Sequence, residues 1–189
     1  MKVNISSHWN QIGESYAVEW NQNGRQYVSD QELRFLKNSI AKHITKKEHF
    51  LKALDLGSGT GRILSILENS ETIDAITGVD FSEEMLLYCK KRFRNSKKVK
   101  NLIRSDIAKR LPFANEAFNI ITSIRAIKYN ANWKDILKEC NRVLKKDGIL
   151  IFEMPNINSI NRFSKDEVFI HKTTLQGLNR HCKIVALRF

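Results

Sequence analysis

The stretch Leu54-Asp55-Leu56-Gly57-Ser58-Gly59-Thr60-Gly61-Arg62 sets the strongest limit on what this chain can fold into. Ala53, Leu54 and Leu56 suit a strand buried on both faces, and Ile63, Leu64 and Leu67 fall on one side of a helix. The three glycines therefore occupy a strand-to-helix turn. Such a turn needs residues that tolerate positive φ and let a ligand approach the backbone with no Cβ in the way. The N–H groups that open the following helix are expected to face that ligand. A second strand over 75–80 ends in Asp80, about twenty residues beyond the glycines. In a strand-helix-strand unit the two strand ends lie side by side, so an acid there can accept both hydroxyls of a ribose.

The glycine spacing narrows the ligand. Dinucleotide-binding turns read G-x-G-x-x-G, whereas this one reads G-x-G-x-G, with Asp55 two residues before the first glycine. The pattern resembles motif I of the class I S-adenosylmethionine-dependent methyltransferases, in which the turn holds the amino-acid end of the cofactor. The resemblance implies S-adenosylmethionine as cofactor, with S-adenosylhomocysteine as product, and cofactor contacts from Asp55, Gly57, Ser58, Gly59, Gly61 and Asp80. It continues in order along the chain. Ser82 caps a helix with Glu83 and Glu84 in its first turn, while Phe81 and Met85 are placed to pack on the adenine. After a third strand at Val99–Arg104, Asp106 and Ile107 match the position that receives the adenine, Asp106 accepting from its exocyclic amine. Asp106 can equally be a charge partner for the surrounding lysines and arginines. Leu111-Pro112-Phe113 then precedes a fourth strand over 117–123 whose last residue, Ser123, is counted among the cofactor contacts.

Asn132 caps a helix with an apolar face of Trp133, Ile136, Leu137, Cys140, Val143 and Leu144. Lys145 and Lys146 suit its negative end, Asp147-Gly148 makes a turn, and a fifth strand occupies 149–152. The segment Arg142-Val143-Leu144-Lys145-Lys146-Asp147-Gly148 resembles the R-V-L-K-P-G-G block of methyltransferases of the ubiquinone/menaquinone-biosynthesis type. Similarity of this kind extends over roughly residues 50 to 156. It implies an α/β fold: a doubly wound, mostly parallel, Rossmann-like sheet with helices on both faces, and ligands at the switch point between strands one and four.

Ahead of this core, Ser29-Asp30-Gln31-Glu32 has the form of a capping box, and Leu33, Leu36, Ile40 and Ile44 follow at helical spacing. A helix over 29–46 is expected. In the family resembled, N-terminal elements close over the cofactor, which would bring Tyr16 near it; Tyr16 also reads as a packing residue. At the other end full class I domains add a helix and two further strands, one antiparallel. Residues 173–179 suit a short helix and 183–187 a strand, but a complete pair of strands is hard to fit. Three explanations stay open: an abbreviated domain, a second chain that covers the sheet edge in a homodimer, or a chain cut short.

A length of 189 residues allows one domain, read as a cap over 1–48, a cofactor-binding core over 49–156 and a shortened end over 157–189. No run approaches the about eighteen apolar residues of a membrane span, and the first ten residues lack a signal-peptide core, so the cytoplasm is the expected location. Cys89, Cys140 and Cys182 are scattered, as are the histidines, and no metal is expected. The net charge of +12 concentrates between residues 90 and 110, where Asp106 is the sole acid. This stretch suits nucleic acid, an anionic membrane or plain solvation. Only Phe93 there could stack on a base, so solvation is the preferred reading.

Methyl transfer is a displacement at a sulfonium, for which positioning of the acceptor supplies much of the rate. Acceptor-side residues are expected at the ends of strands four and five: Ser123, Arg125, Lys128 and Tyr129 on one side, Glu153, Asn156 and Asn158 on the other. Arg125 and Tyr129 are the catalytic candidates. The N/D-P-P-Y signature of amino-methylating enzymes is missing after strand four. Arg125 and Lys128 would suit an anionic acceptor or else be solvated. The expected acceptor is a small molecule, a lipid or a glycan, with RNA methylation or cofactor binding without turnover as the alternatives.

Overall fold

A computed structural model describes residues 25–43, 50–154 and 183–187. Its elements, in chain order, are α1 (Arg25–His43), β1 (Leu51–Leu56), α2 (Arg62–Glu68), β2 (Ile73–Asp80), α3 (Glu83–Arg92), β3 (Val99–Arg104), β4 (Phe118–Ser123), a 3₁₀ turn (Ile127–Tyr129), α4 (Trp133–Val143), β5 (Leu144–Glu153) and β6 (Lys183–Leu187). The strands form one sheet in the order β3-β2-β1-β4-β5-β6, with every neighbouring pair parallel. This is the order of a doubly wound Rossmann-type sheet, and β1 has β2 on one side and β4 on the other, which is the expected switch point.

Alternation along the strands feeds two cores. Ala53, Ile76, Ile120, Ile149 and Ile151 point to one face, where Leu36 and Ile40 of α1, Ile63, Leu64 and Leu67 of α2, and Cys89 of α3 cover them. Leu54, Leu56, Val79, Ile121, Leu150 and Phe152 point to the other, beneath Trp133, Ile136, Cys140 and Val143 of α4. Both faces being buried is what allows an all-parallel sheet, and each leucine or isoleucine removed wholly from water contributes about 1.5–3 kcal/mol.

Three local expectations need correction. The cap helix starts at Arg25, so Ser29 and Glu32 lie inside α1 and form no capping box. Asn132 stands at the N-cap position of α4, but its side chain makes no cap; it donates instead to the Ala108 carbonyl at 3.3 Å. Lys145 and Lys146 do not end α4, because the chain enters β5 directly at Leu144. The expected turn survives as an irregularity within that strand: Phe118 pairs with Leu144 and Ile120 with Ile149, and Asp147 takes φ 64°. The strand expected over 183–187 is present and joins β5 in parallel, from Ile149↔Lys183 to Glu153↔Leu187; no antiparallel strand occurs among the described residues. Tyr16, Ile44, Lys46, Asn156, Asn158, Cys182 and the helix expected over 173–179 lie outside the described residues.

Candidate cofactor site

The three glycines of the turn all have positive φ, at 73°, 52° and 84° for Gly57, Gly59 and Gly61, yet each is glycine for a different reason. A Cβ on Gly57 would lie 2.3 Å from the Cβ of Ala126, just past β4. One on Gly61 would lie 2.4 Å from the Phe93 ring and 3.0 Å from the Cys89 sulfur, so that glycine lets α2 pack on α3. One on Gly59 would meet nothing within 4 Å. Gly59 is thus where the backbone is bare toward open space, as a ligand approach requires.

Four amides of the turn itself, ahead of α2, are engaged within the protein. Gly57 and Ser58 both donate to the Val79 carbonyl, at 2.8 and 3.0 Å, and Gly61 donates to the Ser58 carbonyl at 2.9 Å. Gly59 donates to Asp80 Oδ2 at 2.8 Å. These bonds hold the shape of the turn and leave the first amides of α2, from Arg62 onward, as the ones at the helix N-terminus.

Asp80 ends β2 nearly buried, at 7% exposure. Its Oδ2 accepts from Gly59 and its Oδ1 from the Ser82 amide at 2.9 Å, and burial raises its pKa against these bonds, which lower it. A carboxylate has about four lone-pair positions, and the amides of Gly59, Ser82 and Phe81 do not fill them all. Ser82 caps α3 as expected, accepting from the Met85 amide at 3.3 Å, and Glu83 and Glu84 occupy the first turn. Met85 is buried and Phe81 half-buried. Asp106 is exposed and accepts from the Ala108 amide at 2.9 Å, a local turn that presents it beyond the end of β3, with Ile107 half-buried beside it.

Asp55 faces Thr122 across β1 and β4, whose hydroxyl donates to Oδ1 at 2.7 Å. Oδ2 is buried with no partner among the described residues, as is the hydroxyl of Ser58. Burial pushes the Asp55 pKa to about 7, with Thr122 and the Arg62 charge pulling it down. Ser123 is fully buried and donates to the Leu56 carbonyl at 3.1 Å, tying β4 to the start of the turn. The structure thus gathers Asp55, the glycines, Asp80, Ser82, Asp106 and Ser123 along the carboxyl ends of the first four strands.

The acceptor-side cations have different surroundings. Arg125, at φ 60°, places Nε 2.9 Å from Glu32 Oε1 and Nη2 2.6 Å from Oε2. Lys128 Nζ sits 2.7 Å from Glu153 Oε1, both groups nearly buried, and 5.4 Å from the ring of half-buried Tyr129. Glu32 was missed as a site residue. The available signal was its register: with Leu36 and Ile40 it falls at i, i+4, i+8, a carboxylate on the apolar stripe of α1. Arg62 was in view as the residue after the third glycine, but nothing in the sequence tied it to Glu32.

The methyltransferase domain family matches residues 54–152. An uncharacterized protein of Methanocaldococcus jannaschii is 31% identical over 84% of this chain and 55% of its own length. A demethylmenaquinone methyltransferase of Thermotoga maritima is 35% identical over 53% of this chain and 42% of its own. The chain therefore spans about half the length of the curated relatives it matches. Among solved structures, a Haloferax volcanii methyltransferase in complex with the activator Trm112 superposes with a TM-score of 0.63 at 23% identity, covering 82% of this chain and 68% of its own, which speaks to the fold. An S-adenosylmethionine-dependent methyltransferase of Clostridium acetobutylicum has a TM-score of 0.58 at 26% identity, covering 74% and 56%.

Proposed function

The chain belongs to the methyltransferase domain family, whose cofactor is S-adenosylmethionine, and from that premise we propose that it transfers the cofactor's methyl group to an uncharged small-molecule, lipid or glycan acceptor. One observation carries the cofactor assignment: the open space over Gly59 is bordered by a buried acid, Asp80, with acceptor capacity to spare. The residues fit the group. Asp80 would take the ribose hydroxyls, Gly59 would let the amino-acid end lie against the backbone, and Asp106 would accept from the adenine amine. When bound, the cofactor supplies an electrophilic methyl group on a cationic sulfur.

The acceptor class follows from Arg125 and Lys128. Each is held by a buried carboxylate, Glu32 and Glu153, which supports an uncharged acceptor over an anionic one. Demethylmenaquinone, named in the bacterial relatives, is one molecule of that class. The net charge of +12 supports RNA as a second reading. Against it, Arg92, Lys98 and Arg104 in the basic stretch are bonded to oxygens of the chain itself.

Calorimetric titration with S-adenosylhomocysteine, with NAD as control, tests the cofactor. Binding of the first alone is expected. Asp80→Ala should weaken it by about 1.5–3 kcal/mol and Gly59→Val should abolish it. Unchanged affinity in both variants would remove the assignment. Turnover of labelled cofactor on acceptor panels then separates the two acceptor readings, since RNA methylation should fall steeply with salt and small-molecule methylation far less.

A further inference from the structure

Glu32 is 2% exposed and receives three charge-assisted bonds from two arginines. Arg62, the first residue of α2 after Gly61, reaches it at 2.8 Å through Nη2, and its Nη1 donates to Ser29 one turn earlier in α1 at 2.9 Å. Arg125 grips it with Nε and Nη2 from the far side of the switch point. Docking of α1 does not call for this. Leu36 and Ile40 already seat the helix, and a buried ion pair is often no more stabilising than apolar residues of the same volume. What an apolar residue at position 32 could not do is halve the positive charge that the two arginines bring beside the glycine turn.

Resting on the cofactor reading above, we propose that Glu32 is a positioning residue for a sulfonium ligand. It lets Arg62 and Arg125 brace the turn and the segment after β4 while cancelling positive charge that would oppose a cationic sulfur. The two forms of the cofactor differ by one methyl group and one charge: S-adenosylmethionine carries a sulfonium, S-adenosylhomocysteine a neutral thioether. A loosened site weakens both equally. A change in local charge separates them.

The experiment is calorimetry of the purified chain with each ligand in turn. In Glu32→Gln, which keeps the side chain's shape, the ratio of the S-adenosylmethionine to the S-adenosylhomocysteine dissociation constant should rise roughly tenfold, the order expected when one unit of negative charge is removed from a protein site with an effective dielectric constant of about 20. Adding Arg125→Met to that variant should bring the ratio back. Arg125→Met alone, which is available if Glu32→Gln does not fold, should move the ratio the other way. Equal weakening of both ligands in Glu32→Gln, or an unmoved ratio in Arg125→Met, overturns the proposal. Failure of the wild-type chain to bind S-adenosylhomocysteine would instead remove the cofactor reading beneath it.

Discussion

The two sides of the switch point are built by different means. On the β1–β2 side the site is backbone: positive-φ glycines, amides tied to the Val79 carbonyl, and an acid fixed by amides of the adjoining turns. On the β4–β5 side it is side chain: Arg125 meets Glu32 across 93 residues and Lys128 meets Glu153 across 25. Backbone shape constrains residue type at fixed spacing, so it leaves a local pattern. An ion pair constrains only that opposite charges meet, so it leaves none.

The largest expected effect breaks the side-chain half alone. Lys128→Met would strand the buried Glu153 carboxylate and should cost about 3–5 kcal/mol in urea unfolding, whereas Lys128→Met with Glu153→Leu should recover most of it. A cost of the single variant under about 1 kcal/mol, the range of a solvated pair, would erase the contrast. Next, Gly57→Ala joins the halves, because its Cβ would collide with Ala126 in a left-handed conformation. A loss of about 3 kcal/mol is expected, with Ala126→Gly restoring the steric share and leaving about 1–2 kcal/mol of backbone strain. The smallest effect concerns Asp55, between the two. Its folded-state pKa of about 7 lies above the unfolded value of 3.8, so the folded chain keeps a proton that the unfolded chain has released. That contribution is complete below the unfolded value and is lost as pH rises through about 7. From about pH 5 to about pH 8 the wild type should lose about 2–3 kcal/mol relative to Asp55→Asn, read from unfolding curves at each pH.

What could be read in advance divides along the same line. The strands, the turn and the Ser82 cap were legible because short apolar runs, glycine spacing and capping are short-range. Ser29 to Glu32 misled for the same reason. A capping box and two interior side chains that bind a distant arginine are the same residues in one dimension, and only the earlier start of α1 tells them apart. Asn132 likewise had the right position for a cap, but the Ala108 carbonyl competed successfully for its amide. Of the acceptor-side candidates, Arg125 and Lys128 were legible as cations, while their engagement by Glu32 and Glu153 was not.

The contact between Gly57 and Ala126 has a bearing on how the chain assembles. Because the two residues lie so far apart in sequence, the closest packing of the turn depends on a loop closure that waits for β4 to dock beside β1. A nascent chain that has exposed all three glycines but not yet β4 would hold the motif without its shape. The fit of the turn against its far wall therefore depends on β4 docking beside β1, although the bonds that shape the turn all lie within the first half of the sheet.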